Sequence, residues 1–575
     1  MKNIIHQLKS EITNLESFEP EELTERKFNA EFDMLILGKN TKSSTQKEQN
    51  HFFRGLMVNH NTRDVVLGQN GFAIWKGKNN ISDYRMFEGG FVSIEWSEKN
   101  IQIQHDCFGL YPIFRYIDND ICIISDSLFL ISRTMKMIGK NVKINPKANL
   151  TRSWTYGLAC SIMTKETIIQ KVTYVPPCAM LKISMIGTEI ICSEEQLNVK
   201  KVFALEKEPY LKNLVKAKNE IVSLVTTISE STNLEFKLGL SGGLDSRIIL
   251  ALLLQLSNGL EKSHINSNTH ESRKDDYRIA KSLGEHFNFE INQEIPSLGT
   301  KPIRVENPYG NFVLFNLGIF DMTYLYRSYW DTSSMIEIGG HGAEITKGTF
   351  SDIRLTHKIS CRRPDKKIAL YNDLRNSLKP FGIRIAQRNS TQWHHLLYKS
   401  AIQNGRYLEK TQISLRPLMN RRLAALGLNN KSKSNQILKD LLILLSPELA
   451  SHPFDHISKN IDSDYITKFL EESKQFNVIS NEKSSIYGDS KVMKNGFLNS
   501  FISLTNNYKL DSTDKKKSLL DLLESVWDRI RDKKVKRIYS EAYKMARRRL
   551  GNENSYLPSA GIPASKIIAL GILFE

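Results

Sequence analysis

The sequence predicts a mixed fold with a β-rich N-terminal part, an α/β part with a parallel sheet, and a mostly helical C-terminal part. Short segments that alternate apolar and polar residues, such as residues 91–96 and 101–104, are separated by turn-forming Asn, Asp and Gly. Between residues 210 and 348, short apolar strands alternate with helical patterns, which is typical of a parallel sheet with helical crossovers. From Trp393 onward, the apolar residues recur mainly at helical spacing.

Length and composition bound the number and kind of domains. The chain has 575 residues, and at roughly 100–200 residues per domain this length predicts about two to four domains. We place the divisions at residues 1–200, 201–460 and 461–575, because the composition turns polar and rich in Lys and Glu near residue 200. Shares of 40% apolar and 25% charged residues are those of a globular protein, which excludes a disordered or fibrous main architecture.

Three features of the composition indicate which binding partners and which cellular compartment the protein has. A formal net charge of +18 favours anionic partners such as nucleotides. Six scattered cysteines without a Cys-x-x-Cys pair favour a reduced, cytoplasmic setting over a disulfide framework or a zinc site. The longest apolar runs, residues 248–254 and 567–573, are shorter than the ~20 residues that a membrane span needs. We therefore expect a cytoplasmic protein without a membrane span.

A glycine-rich turn between a predicted strand and a predicted helix gives the most specific chemical signal. Its sequence is Leu238-Gly239-Leu240-Ser241-Gly242-Gly243-Leu244-Asp245-Ser246-Arg247. Glycines let backbone N–H groups approach an anion closely, and a helix N-terminus adds a partial positive charge. The Ser241 and Ser246 hydroxyls can donate to phosphate oxygens, and Asp245 can hold Mg²⁺. The predicted ATP and Mg²⁺ site comprises Leu240, Ser241, Gly242, Gly243, Asp245 and Ser246.

The same turn predicts which phosphorus atom of ATP reacts. It lacks the Lys-Ser/Thr pair of the Walker A loop, which reaches a terminal phosphate. A loop that binds the β and γ phosphates leaves the α-phosphorus open to attack. The expected chemistry is adenylation, in which a carboxylate takes AMP, pyrophosphate leaves, and a nitrogen nucleophile then displaces AMP. The alternative is that the turn is only a tight strand-to-helix connection.

Four ordered stretches resemble one protein family. Residues 241–246 resemble the pyrophosphate-binding loop of the ATP pyrophosphatases, a superfamily that includes asparagine synthetase and tRNA-lysidine synthetase. Residues 90–125 resemble the glutaminase domain of the glutamine-hydrolysing asparagine synthetase family. Residues 338–344 resemble the family's second nucleotide loop, and residues 415–419 its Arg-x-Pro-Phe segment. Together these stretches make the chain resemble a divergent member of the asparagine synthetase family.

This resemblance implies an architecture for each predicted part. Residues 1–200 are expected to form a degenerate glutaminase-like domain, an α+β sandwich of the Ntn-hydrolase type. Residues 201–460 are expected to form an α/β synthetase domain of the ATP pyrophosphatase type, also called adenine nucleotide α-hydrolase-like. Residues 461–575 are expected to be a helical C-terminal extension.

The second nucleotide loop is Ile338-Gly339-Gly340-His341-Gly342-Ala343-Glu344. The resemblance implies that Gly340 and Gly342 contact the nucleotide and that Glu344, in place of the family's Asp, binds magnesium together with Asp245. His341 stands at a variable position, where an imidazole could deprotonate the incoming amine. A histidine that is only hydrogen-bonded beside the nucleotide is the alternative. His341, Asp245 and Glu344 are the predicted catalytic residues.

The sequence departs from the family at two functional positions. The family's glutaminase uses an N-terminal cysteine freed by loss of Met1, whereas Lys2 follows Met1 here, so we expect no glutaminase activity. This loss also occurs in β-lactam synthetases and lasso-peptide cyclases. The family's late lysine aligns with Phe454. Lys439 and Lys459 are nearby substitutes, although we favour a solvated surface position for either of them.

Two weaker signals have a structural and a functional interpretation. Asp275 and Asp276 stand at a predicted helix start, where we favour ordinary capping over a role in the nucleotide site. Arg247 either adds positive charge near the phosphates or lies along the helix surface.

Several functions remain open at this stage. The first is an ATP-dependent amide-forming ligase that acts on a small-molecule, glycan or peptide carboxylate, with ammonia or an amine as nitrogen donor. A lasso-peptide or lactam-forming cyclase of the same family is an alternative. Another class would be a tRNA-modifying ATP pyrophosphatase or a non-catalytic nucleotide-binding scaffold. Nucleic acid is not favoured, because tRNA-lysidine synthetase has its loop near the N-terminus, whereas a β-rich part precedes the loop here. Assembly as a homodimer stays open.

Overall fold

The computed structural model describes most of the chain. The described residues are 34–38, 51–97, 100–118, 121–154, 160–186, 189–232, 234–293, 308–321, 335–361, 363–405, 413–429, 435–476, 484–488, 514–553, 555 and 557–574. The strands are β1 (Met34–Gly38), β2 (His51–Asn59), β3 (Asp64–Leu67), β4 (Glu88–Trp96), β5 (Asn100–His105), β6 (Ile113–Asp118), β7 (Ile121–Ser125), β8 (Val172–Val175), β9 (Ala179–Ile186), β10 (Glu189–Gln196), β11 (Glu235–Gly239), β12 (Ser263–Asn266), β13 (Met335–Ile338), β14 (Ile413–Leu415) and β15 (Ser485–Tyr487).

The helices are numbered separately, in chain order. They are α1 (Gly68–Lys78), α2 (Leu128–Met137), α3 (Pro146–Arg152), α4 (Val199–Val202), α5 (Tyr210–Ser231), α6 (Leu244–Leu254), α7 (Lys274–Phe287), α8 (Pro308–Phe315), α9 (Ala343–Thr346), α10 (Pro364–Leu378), α11 (Ser390–His394), α12 (Ala401–Gly405), α13 (Arg421–Asn429), α14 (Gln436–Leu445), α15 (Pro447–Ser451), α16 (Ser463–Ser473), α17 (Lys515–Arg529), α18 (Lys533–Leu550) and α19 (Leu557–Phe574). A π-helical turn (His395–Ser400) connects α11 to α12. Within the described ranges, none of these helices has both the length and the apolar character that a bilayer crossing requires.

Two sheets form the N-terminal part. One has the strand order β1-β7-β6-β8, and the other has the order β10-β9-β5-β4-β2-β3-β15. Apolar side chains of both sheets, such as Ile123 and Phe114 in one and Ile103 and Leu181 in the other, belong to one buried cluster. Burial of such side chains is the main stabilising contribution to a two-sheet structure of this kind.

A four-stranded parallel sheet follows, with the order β12-β11-β13-β14. The connection from β11 to β12 and the connection from β13 to β14 run in opposite directions along the sheet, so the pair β11 and β13 is its topological switch point. Helix α6 follows β11 and is apolar all round from Ile248 to Leu253, because α14 and the sheet cover it on both sides. The structure is thus mixed α/β and includes a parallel sheet, whereas the glutaminase-like and ATP pyrophosphatase architectures stay predictions.

The C-terminal segment returns to the N-terminal part. Strand β15 pairs in parallel with β3, so residues 461–575 are not purely helical. Helices α18 and α19 pack on the N-terminal core, where Tyr539 donates to Asn149 Oδ1 (2.8 Å) and Ser132 Oγ donates to the carbonyl of Leu573 (2.5 Å). A three-residue edge strand has no detectable periodicity, which is why the sequence did not indicate β15.

Candidate active site

Two loops meet at the switch point of the parallel sheet. The loop after β11 leads into α6, and the loop after β13 leads into α9. In open α/β sheets, ligands bind outside the carboxyl ends of the strands at such a point. The loops touch closely, since a Cβ atom on Gly340 would lie 2.8 Å from the carbonyl carbon of Asp245. Glycine at 340 is therefore required for the first and second loops to approach each other.

Hydrogen bonds within the first loop fix its shape. The backbone N–H of Ser241 donates to Ser246 Oγ (3.0 Å), and the two serine Oγ atoms lie 3.1 Å apart. The backbone N–H of Gly243 donates to Ser241 Oγ (3.3 Å). No side chain caps the N-terminus of α6, whose N-cap residue is Gly243. The dipole and the uncapped N–H groups of this 11-residue helix consequently face the region in front of the loop.

Gly242 is enclosed by two acidic residues from other parts of the chain. Its backbone N–H donates to Asp276 Oδ1 (3.0 Å), and a Cβ atom at this position would lie 2.6 Å from the Cβ atom of Asp455. An N–H group of the loop thus already binds a carboxylate oxygen, which supports the prediction that the loop binds anions. Asp276 does not cap α7, whose N-cap residue is Arg273. It does stand in the first turn of α7, where a carboxylate complements the helix dipole, and it also binds the first loop.

A cleft of about 610 Å³ opens in front of the first loop. This volume lies within the range of ligand-binding pockets. Of the predicted nucleotide-binding residues, Leu240, Ser241, Gly243 and Asp245 line it directly. Another part of the wall is formed by the end of β12 and the residues after it, Asn266, Ser267 and Asn268. The rest of the wall includes three ion pairs. These pairs are Lys347–Asp245 (2.7 Å), Arg273–Asp276 (3.2 Å) and Lys459–Asp455 (2.6 Å).

Asp245 is the first-loop carboxylate on the cleft wall. The ammonium of Lys347 lies 2.7 Å from both of its oxygens. Burial raises the pKa of Asp245, Lys347 opposes this rise, and the nearby Glu344 adds to it. The described residues contain no cluster of three or more His, Cys, Asp or Glu side chains that could hold a metal. Two adjacent carboxylates nevertheless fit magnesium that arrives on a nucleotide, because Mg²⁺ keeps several waters and needs one or two protein carboxylates.

Glu344 is held by hydrogen bonds where the second loop leads into α9. Its Oε2 accepts from the backbone N–H of Gly342 (3.0 Å), and its Oε1 accepts from Ser400 Oγ (3.1 Å). Gly342 has a φ of +99°, and a Cβ atom there would lie 2.6 Å from the carbonyl carbon of Leu418. Neither Gly342 nor Glu344 lines the cleft, although Glu344 is near enough to Asp245 to raise the pKa of that carboxyl.

His341 is half-buried in the same loop and does not line the cleft. It lies beside the ion pair between the buried Arg416 and the partly exposed Glu337 (3.2 Å). Burial opposes ionisation of Glu337, but Arg416 and His341 together hold the pKa of Glu337 below its usual value. Arg416 thus has the structural role of fixing the end of β13. His341 stays a predicted base, and it follows Gly340, the residue that contacts Asp245.

Arg247 lies behind the first loop, in neither of the two predicted places. Its side chain is fully buried, and its Nη1 and Nη2 atoms donate to the carbonyls of His452 (2.6 Å) and Pro453 (2.8 Å). The guanidinium carbon lies 3.7 Å from the ring centroid of Phe454. The aromatic ring at 454 therefore covers a buried cation, a position where a lysine would repel Arg247.

The two substitute lysines behave differently. Lys459 lines the cleft and pairs with Asp455, whereas the half-buried Lys439 donates to the carbonyl of Asn460 (3.3 Å) outside it. Sequence reasoning missed Lys347, the other lysine of the cleft. The signal that could have found it is its position three residues after Glu344, at helical spacing.

Cys107, the first cysteine of the chain, lies in the N-terminal core. It is fully buried, and burial raises the pKa of its thiol. A buried, protonated thiol is a poor nucleophile. The structure therefore offers no catalytic role for Cys107.

Replacing Cys107 with serine is expected to leave any glutamine hydrolysis of the protein unchanged within about two-fold, because a thiol of this kind does not react. Glutamate release from glutamine measures this. The half-buried Cys361 supplies the control variant Cys361→Ser. Glutamate release by the unaltered protein that Cys107→Ser alone removes would contradict the expectation.

Comparisons with known proteins add no family assignment. Neither protein-family models nor curated proteins give a match to this chain. The interpretation of the cleft therefore depends on its own residues and on the motifs.

Proposed function

We propose that this chain is an ATP-dependent carbon–nitrogen ligase of the asparagine synthetase type. It would activate a substrate carboxylate as an acyl-adenylate, release pyrophosphate, and transfer the acyl group to ammonia or an amine. The observation with the most weight is the Ser241–Ser246 hydrogen-bonded turn with an uncapped helix N-terminus at the switch point of a parallel sheet. The six cysteines are all free, which agrees with a cytoplasmic location.

The first step uses the cleft wall. A carboxylate oxygen attacks the α-phosphorus, the new O–P bond forms, and the bond to the bridging oxygen breaks, so that pyrophosphate leaves with the electron pair. The N–H groups at the start of α6 and the serine hydroxyls would bind the pyrophosphate part. Magnesium would enter as part of the substrate, MgATP, and Asp245 with the nearby Glu344 would hold it.

The second step forms the carbon–nitrogen bond. The lone pair of the nitrogen attacks the acyl carbon, and AMP leaves with the electron pair of the broken C–O bond. The nitrogen must lose a proton, for which His341 is the proposed base. Ammonia would give an amide, and an amine in the same molecule would give a lactam or a cyclic peptide. The acid is a small-molecule, glycan or peptide carboxylate.

An exchange assay tests this proposal. Labelled pyrophosphate should enter ATP only when the correct carboxylic acid is present, because the first step is reversible. We expect stimulation by one class in a panel of small acids, sugar acids and peptides, with Mg²⁺ present. Binding of ATP without stimulation by any of these classes would favour the non-catalytic scaffold. Binding of tRNA that weakens as salt is raised would favour the tRNA-modifying alternative.

A further inference from the structure

The cations on the cleft wall differ in their surroundings. In the described part of the chain they are Arg273, Lys347 and Lys459, and each has one carboxylate partner. The side chains are 62%, 24% and 41% exposed, respectively, so Lys347 is the most enclosed. Electrostatic interactions with a ligand are strongest where water is most excluded, which favours Lys347 as the cation with the largest effect on bound phosphate.

Lys347 also has the most central position. It follows α9 directly and is bound to Asp245, a residue in the first turn of α6. Asp245 is the residue against which Gly340 packs, so the ammonium lies where the first and second loops meet. The ammonium therefore faces the region in which the loop of the proposed ligase would place the phosphates of ATP.

Arg247 does not belong to the described lining of the cleft. Arg247 is turned away from the cleft, because its donors bind the carbonyls of His452 and Pro453 and its face stacks on Phe454. Phe454 stands where the family resemblance implies a catalytic lysine. A ligase with this cleft needs another cation to stabilise the negative charge that develops on the leaving pyrophosphate.

We propose that Lys347 is this cation, a catalytic residue that contacts the phosphates of ATP while the α-phosphorus is attacked, and that Asp245 positions it. This inference rests on the proposed function. An ammonium has three donors, which it can share between Asp245 and phosphate oxygens without losing a proton. Magnesium that approaches Asp245 on MgATP would repel the ammonium, and this repulsion directs Lys347 towards the phosphates.

The test compares Lys347→Met with Lys347→Arg and with the control Lys439→Met, whose half-buried lysine does not line the cleft. Loss of one preorganised donor at a developing charge lowers kcat by about 10²–10³-fold. We therefore expect pyrophosphate exchange by Lys347→Met to fall about 100-fold or more in kcat, with MgATP affinity weakened less than about ten-fold. Lys347→Arg should recover at least about a tenth of the exchange rate, and Lys439→Met should stay within about two-fold.

Calorimetric titration with MgATP separates failure of this inference from failure of the ligase proposal. Exchange by Lys347→Met at the rate of the unaltered protein would overturn the role of Lys347 and leave the ligase intact. If the unaltered protein binds MgATP but shows no exchange with any acid, the ligase proposal fails. In that case, equal MgATP affinity of Lys347→Met and the unaltered protein would also overturn the phosphate contact, whereas a weaker affinity would support it.

Discussion

The variant Asp245→Asn is expected to lose ATP–pyrophosphate exchange, with a fall of at least about 10³-fold in rate. The asparagine amide keeps the shape of the side chain but has no negative charge to hold the Lys347 ammonium, which now lies at 2.7 Å, or the magnesium of MgATP. Exchange in the presence of the stimulating acid measures the loss.

The same substitution should leave the fold intact. The side chain is 39% exposed, and burial already disfavours its charge, so the midpoint of thermal unfolding should change by no more than a few degrees. Asp275→Asn on the outer face of α7, where the side chain is 64% exposed, is the matched control and should keep full activity. An Asp245→Asn protein that exchanges within ten-fold of the original would contradict the role of this carboxylate.

Replacement of Arg247 by alanine is expected to destabilise the part of the chain that contains the parallel sheet by about 3–5 kcal/mol. The guanidinium is fully buried, donates to the partly buried carbonyls of His452 and Pro453 and packs on Phe454, so its removal leaves acceptors without donors and a cavity beside the ring. Denaturant unfolding, followed by a probe of the α6 region, measures the change.

A surface arginine provides the control for this variant. Arg278 on α7 is 72% exposed and lies 3.7 Å from Asp275, so Arg278→Ala should change stability by less than about 0.5 kcal/mol. Burial lowers the pKa of Arg247 to about 10, which shows that its charge has lost much of its hydration and depends on the carbonyls and the ring. Equal unfolding midpoints for Arg247→Ala and Arg278→Ala would refute the proposed structural role.

The local pattern of the sequence predicted the strands and the first loop well. The predicted strand segments at 91–96 and 101–104 lie within β4 and β5, and the glycine-rich turn does join β11 to α6. Each of these features depends on residues close together in the chain, where alternation, helical spacing and glycine positions are informative. The parallel sheet follows from the same alternation of strands and helices.

The contacts that complete the site could not be predicted from local pattern. Lys347 and Asp245 are 102 residues apart, and Asp276 reaches Gly242 across 34 residues. Arg247 meets the carbonyl of His452 over 205 residues, which replaces its predicted surface or phosphate position. Such pairs depend on how helices pack around the sheet, which the spacing of residues within one element does not specify.

The most direct test of the central claim is product analysis after reaction of ATP labelled at the α-phosphate with the stimulating acid and ammonium or an amine. The account predicts labelled AMP together with an equal amount of pyrophosphate, because the loop before α6 would bind the β and γ phosphates and leave the α-phosphorus open. Formation of labelled ADP and free phosphate instead would contradict it.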